Sequence, residues 1–259
     1  MATTNQTGNQ TGNQTGGTRQ TKGGRMKATS SRRAQSARTE LRLLRTACWL
    51  FSERGFHGTG IRDISVAAEV AVSAMYYYAS SKDELLEAVT RRVMEVLAAG
   101  SEETVRDIDD PAERLVALIA VHVAFHARNP RAAKVADHEF QALSGQARRD
   151  ILRLRDAYEK VWADTLEAGV RDGVFKDRGS VARLALLQMA TGIAHWYRPG
   201  GELDIAQLCE RFADMGLALM GADRDGRPLE VRDLTIPDSD LLLERVELAI
   251  EPRRKPSGA

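Results

Sequence analysis

Apolar residues recur at three- and four-residue steps from about Gln35 to about Met220, the period of helices rather than of alternating strands. Leu41, Leu44, Cys48 and Phe51 share one face of a first helix that ends near Gly55. Ile61, Ile64 and Ala68 repeat the pattern over a shorter span, a third short segment covers Ala71 to Tyr78, and a long helix runs from about Asp83 to Ala99. Ser81-Lys82-Asp83-Glu84 opens that long helix as a capping box, in which the Ser81 hydroxyl and the Glu84 carboxylate satisfy free backbone donors. Asp110-Pro111-Ala112-Glu113 marks the next start, with Pro where its missing N–H costs nothing, and the helix stops before Asn129-Pro130. Further helices are predicted over about 131–143, 146–171, 180–197 and 204–219, separated by Ser-Gly, Asp-Gly and Arg-Pro-Gly-Gly breakers. The result is an all-α protein of nine helices with no credible strand.

The two ends depart from this pattern. Thr7 to Gln10 and Thr11 to Gln14 both read Thr-Gly-Asn-Gln, and nothing nearby can seed a core, so residues 1–36 are expected to form a disordered arm. Arg19, Lys22, Arg25, Lys27, Arg32, Arg33 and Arg38 make the first 38 residues +7 with no acid; a whole-chain charge of +1 leaves −6 on the rest. Such an asymmetry suits a polyanion, either nucleic acid or an anionic membrane surface, although the arm lacks the apolar anchors of a membrane-lying helix. It equally suits a solubilising tail. At the other end, residues 222–259 mix Pro, Asp and Arg into a partly disordered extension whose apolar patch, Leu241 to Ile250, has room for one extra helix.

Composition narrows the class further. The chain of 259 residues is 43% apolar, enough for one or two cores, and its 5% aromatic and 28% charged content favours helix over sheet. The longest nearly uninterrupted apolar run, Leu115 to Phe125, contains His122 and is well short of the roughly 20 residues that span a bilayer. No apolar segment near the start resembles a secretory signal. Cys48 and Cys209 lie within apolar-periodic segments and no CxxC occurs, which points to reduced core thiols in a cytoplasmic protein.

Three short helices followed by a long one is the arrangement of a helix-turn-helix unit, whose third helix enters a major groove. Thr59-Gly60-Ile61-Arg62-Asp63-Ile64 and Met75-Tyr76-Tyr77-Tyr78-Ala79-Ser80-Ser81-Lys82-Asp83-Glu84-Leu85 resemble the two signature blocks of the TetR family of transcriptional regulators. The resemblance implies a DNA-binding domain over 37–97 and a ligand-binding and dimerisation domain over 98–221. It also implies that Thr59 caps the second helix and offers its hydroxyl and nearby N–H to a phosphate, that Ser73, Ala74, Tyr76 and Tyr77 line the groove-facing side, and that Lys82 pairs with the DNA backbone. Tyr78 is expected to pack, because a helix cannot aim three successive side chains at one surface. Glu69 and Ser73 stand where the family usually has Gly, and Ala79 replaces a usual Phe.

In the second half, Glu139-Phe140-Gln141-Ala142-Leu143, Leu154-Arg155-Asp156-Ala157-Tyr158-Glu159 and Trp196-Tyr197-Arg198-Pro199-Gly200-Gly201 are similar to the branch that controls fatty-acid and sterol breakdown. That likeness implies an acyl-CoA thioester as effector. From the residues themselves, Leu184, Gln188, Thr191 and His195 form one stripe of the eighth helix, and His122, Phe125 and His126 join them from the fifth, a mix of apolar surface and polar groups that suits a small-molecule pocket. The four-residue spacing of His122 and His126 could also chelate a metal, but no Cys-rich cluster supports it, and no metal or other cofactor is expected. Tyr158 and Trp162 read as core fillers of the seventh helix. Leu184, Leu187, Trp196, Leu208, Phe212, Met215 and Leu219 exceed what one core face needs and predict a homodimer bundle.

An enzyme finds little support, since GxSxG, HExxH, GxxxxGK[ST] and Glu-x-x-His are all absent. A helical protein-interaction module would explain the bundle but not the Thr59 to Lys82 block. The expected protein is therefore a dimeric repressor that binds a palindromic operator in double-stranded DNA and is released by a small hydrophobic or acyl-CoA-type effector.

Overall fold

A computed structural model describes residues 22–235, 241 and 244–251, of which 22–31 are described as backbone only. The chain divides into two units, residues 1–38 and 39–259. Helix α1 spans Lys22–Arg54, so the part of the expected disordered arm from Lys22 onward is helical, while residues 1–21 lie outside the described residues. The remaining helices are α2 (Ile61–Ala67), α3 (Val72–Met75), α4 (Lys82–Val105), α5 (Pro111–Arg128), α6 (Pro130–His138), α7 (Gly145–Arg171), α8 (Gly179–Thr191), α9 (Ile193–Trp196) and α10 (Ile205–Met220). Among the described residues all nine predicted helices are present, the 180–197 helix in two pieces that break at Gly192; the 131–143 helix ends in a 3-10 turn, Glu139–Ala142.

Local chemistry explains most boundaries. Asp110 accepts from the N–H groups of Ala112 (2.8 Å) and Glu113 (3.1 Å) to start α5 behind Pro111, and Asp204 and Gln207 form a reciprocal capping box on α10. The box at α4 is only half formed: Ser81 accepts from the Glu84 N–H at 3.2 Å, but the Glu84 carboxylate reaches one residue further back, to the N–H and hydroxyl of Ser80 at 2.7 and 2.6 Å. Those bonds hold the Glu84 carboxyl below its ordinary pKa. Helix α4 passes the predicted boundary at 97/98 without interruption and reaches Val105, about 36 Å from its start.

Helix α5 is the axis of the body. Fifteen of its eighteen residues are buried, so no polar stripe marks one outer face, and α4, α7, α8 and α10 pack around it. Gly216 lets α10 approach closely, since a Cβ there would sit 2.3 Å from Ile119 Cδ1.

The expectation of no strand fails in one small place. Asp223–Arg224 and Arg227–Pro228 pair antiparallel around Asp225-Gly226, which both take positive φ (54° and 77°), as a tight hairpin turn requires. The apolar patch near the C-terminus does not form one extra helix across its described residues: only Leu241, Glu244 and Arg245 are helical. Beyond them Val246, Leu248 and Ile250 bury themselves individually, and the Asn129 side-chain amide donates to the Val246 carbonyl at 2.9 Å.

Candidate DNA-reading face and effector cavity

The turn between α2 and α3 is held by backbone and side chain together. The Val70 N–H donates to the Ser65 carbonyl at 3.0 Å, and the Ser65 hydroxyl returns a bond to the Val70 carbonyl. Between them Glu69 takes φ +53°, the left-handed conformation that glycine adopts without strain. Helix α3 is only four residues long, and Tyr76 to Tyr78 continue it as turns. Ser73, Ala74, Tyr76 and Tyr77 are all exposed, Tyr77 at 82%, while Met75 and Ala79 face the core and Tyr78 is half-buried against it. All four side chains expected to face a groove are therefore open to solvent.

Thr59 and Lys82 are held by the protein's own backbone. The cap of α2 is Gly60, whereas Thr59 is 1% exposed and its hydroxyl donates inward to the Gly55 carbonyl at 2.8 Å. A threonine closing the loop after α1 can satisfy that loop's carbonyls or face out, and here packing turns it in. Lys82, the first residue of α4, donates to the carbonyls of Phe56 (3.0 Å) and Thr59 (3.1 Å) and lies 4.2 Å from the centre of the Phe56 ring. Its ammonium ties the head of α4 to the 55–60 loop. Glu139 grips the same loop, accepting from the Phe56 N–H at 2.9 Å.

In the body, a cavity of about 100 Å³ is walled by α4, α5, α6, α7 and α8. His122, His126, Gln188 and Thr191 reach it as expected. One nitrogen of His122 lies 2.6 Å from the Tyr158 hydroxyl and the other 3.1 Å from the Thr191 hydroxyl, while the Nδ1–H of His126 donates to the His122 carbonyl at 2.8 Å. The two imidazoles lie tilted against each other at 4.1 Å between ring centres and use these partners rather than converging on one point. Burial depresses both, His122 well below its ordinary pKa and His126 to about 4, so both are neutral at pH 7.

Three expected lining residues are absent from this wall, the first being Leu184, which is 48% exposed on α8. Phe125 is fully buried in the core, since α5 packs on every side, and His195 is exposed and stacks on His138 at 5.0 Å. The break at Gly192 ends the stripe that would have carried His195 inward. Tyr158 is buried in the core as expected and also lines the cavity, while Trp162 is core alone. Val93, Met94 and Leu97 of α4, Asp137 of α6 and Arg155 of α7 were not anticipated. Arg155 donates to the Ala136 carbonyl at 2.7 Å and stacks on the Phe140 ring at 4.4 Å.

The apolar residues assigned to a second copy divide in two. Leu184, Trp196, Met215 and Leu219 are exposed at 38–53%, joined by Val181, but Leu187, Leu208 and Phe212 are buried within the protomer. Trp196 stacks on Phe212 at 6.4 Å, while Met215 and Leu219 further along α10 stay open.

A short third helix with an open polar and aromatic face, joined by one long helix to a body with a small cavity, defines a helix-turn-helix regulator with an effector domain. Residues 43–89 match the family profile described as bacterial regulatory proteins, tetR family, and residues 108–220 match the tetracyclin repressor-like C-terminal domain, together more than half of the chain. The chain belongs to the TetR family of transcriptional regulators. It is 29% identical over 189 residues to the HTH-type transcriptional repressor KstR2 of Mycobacterium tuberculosis, covering 71% of this chain and 92% of that one. A tetR-family regulatory protein from Rhodococcus RHA1 superposes with a TM-score of 0.66 at 26% identity, over 72% of this chain and 98% of that one. AibR, solved with isovaleryl coenzyme A and operator DNA, shares the fold at a TM-score of 0.62 and 24% identity, over 68% and 97% of the two chains. Among the described residues no helix is long and apolar enough to cross a membrane.

Proposed function

We propose that the protein is a homodimeric, cytoplasmic repressor whose α3 faces read a palindromic operator and whose body cavity takes the acyl end of an acyl-CoA-type thioester. It acts by binding, without catalysis. The carrying observation is that α4 supplies both Lys82, which holds the DNA-reading head, and Val93, Met94 and Leu97, which wall the cavity. At about 100 Å³ the cavity lies below the roughly 300–1,000 Å³ of ordinary ligand sites, so an acyl chain enters only by spreading its walls. Moving α4 changes the separation of the two recognition helices, which must sit about 34–36 Å apart, and the operator is released by population shift. AibR, solved with isovaleryl coenzyme A and operator DNA, supports the thioester class. The exposed Val181, Leu184, Trp196, Met215 and Leu219 suit the dimer face.

The test is fluorescence anisotropy on DNA from immediately upstream of its own gene, at fixed salt, with a panel of acyl-CoA thioesters. Tight binding relieved by one thioester is expected, with the response blunted in Gln188→Ala and preserved in His195→Ala. Binding that no thioester relieves would remove this effector class, and specific binding nowhere would restore the interaction-module alternative.

A further inference from the structure

Helix α6 contributes to two recesses with different residues. Ala133, Ala136 and Asp137 line the small cavity; Pro130, Arg131 and Lys134 line a second recess of about 760 Å³, bounded by the end of α1, the α5–α6 corner and the α9–α10 loop. This groove gathers four cations, Arg128, Arg131, Lys134 and Arg198, against two carboxylates, Glu53 and Glu251. Glu53 lies 3.6 Å from Arg131, whereas among the described residues neither Arg128 nor Lys134 forms an ion pair. Apart from Ser52, the remaining wall is largely apolar, with Pro130, Tyr197, Pro199 and Ile205.

One group inside the groove shows what it favours. Glu251, brought in by the C-terminal segment, is 7% exposed and accepts from the N–H groups of Ala132 (2.8 Å) and Arg131 (3.3 Å) at the start of α6. It is a carboxylate standing where backbone donors and cations converge. Burial nevertheless lifts its pKa to about 7, against the pull of those N–H groups, Arg131 and Lys134. The occupant is therefore a weak anion in a site with cationic charge to spare.

We propose that this groove is a phosphate-binding site that takes the phosphate-bearing end of a nucleotide-type ligand, with Arg131, Lys134 and Arg128 on the phosphates and the Tyr197–Pro199 wall against the nucleoside. Guanidinium forks match phosphate oxygens in pairs, and the volume falls in the range of ordinary ligand sites. The phosphates can belong to the coenzyme A half of the proposed effector, a source that rests on the reading above, or to a separate phosphorylated metabolite. The site itself depends on neither.

Isothermal titration of the full chain with adenosine 3′,5′-bisphosphate and with inorganic pyrophosphate tests it without any acyl group or operator. Saturable binding is expected, weakened about tenfold or more in Arg131→Gln/Lys134→Gln and tightened about threefold in Glu251→Gln, which keeps the acceptor but removes the resident charge. If the double variant also loses thioester-driven operator release, the phosphates are the effector's; if release survives, the groove serves a second ligand. No saturable binding in either the parent or Glu251→Gln, or binding indifferent to all three substitutions, overturns the proposal.

Discussion

The protein holds two aromatic clusters that face opposite ways. Tyr76 and Tyr77 project from the turns after α3 at 52% and 82% exposure, whereas Tyr158 and Trp162 sit within α7 against His122, at 4% and 0%. Rings left in water on the turns after a four-residue helix contribute little to cohesion and are available to a partner. Rings in the body fill the core and shape the cavity. The same residue type thus carries recognition at one end and stability at the other, and exposure separates the two roles.

The sharpest test sets one ring from each cluster side by side. Trp162→Ala removes a fully buried indole and is expected to cost about 3–5 kcal/mol of unfolding free energy, read from the midpoint of urea denaturation. Tyr77→Ala should leave that midpoint within about 0.5 kcal/mol while weakening operator binding about tenfold, since a surface ring holds no core together but its hydroxyl can contact a phosphate. A Tyr77→Ala variant that loses stability comparably would place that ring in the fold rather than on the DNA face.

Acidification should separate the regions next. His126 is fully buried and titrates near 4 when folded, below the roughly 6.5 of an unfolded histidine. Below pH 6.5 the unfolded chain therefore takes up a proton that the folded body refuses. The stabilisation from a neutral His126 is complete above that pH and is lost progressively as pH falls toward 4, by about 3 kcal/mol. Denaturation midpoints at pH 7.5, 6 and 5 should fall less steeply in His126→Gln than in the parent. Parallel slopes would contradict the burial of a neutral imidazole.

These contrasts also explain what the sequence makes legible. Caps and breakers are local, so Asp110-Pro111 and Asn129-Pro130 announce helix ends that the structure keeps. The exposed face of α3 is local too. The cavity is not, because it needs five helices at once: Val93 and Arg155 carry no mark that would single them out, and His195 follows the helical stripe until Gly192 breaks it. Periodicity likewise cannot tell a protomer's core from its partner face. Leu208, Phe212, Met215 and Leu219 lie on one stripe of α10, yet the first two are buried and the last two open.

The smallest expected effect lies at the joint of the DNA-reading head. Glu69 holds φ +53° where the family usually has Gly, and its side chain is exposed. A left-handed backbone costs a non-glycine residue about 1–2 kcal/mol, while glycine adds about 0.5–1 kcal/mol of unfolded-state entropy to be lost on folding. The difference predicts that Glu69→Gly raises stability by about 0.5–1 kcal/mol in urea denaturation. Removing a carboxylate beside the recognition helix should also tighten operator binding slightly, and more so at low salt, where its repulsion of phosphates is least screened. A gain in stability with unchanged affinity would mean that this carboxylate points away from the DNA; a loss of stability would mean that the Glu69 side chain holds the turn more firmly than its backbone strains it.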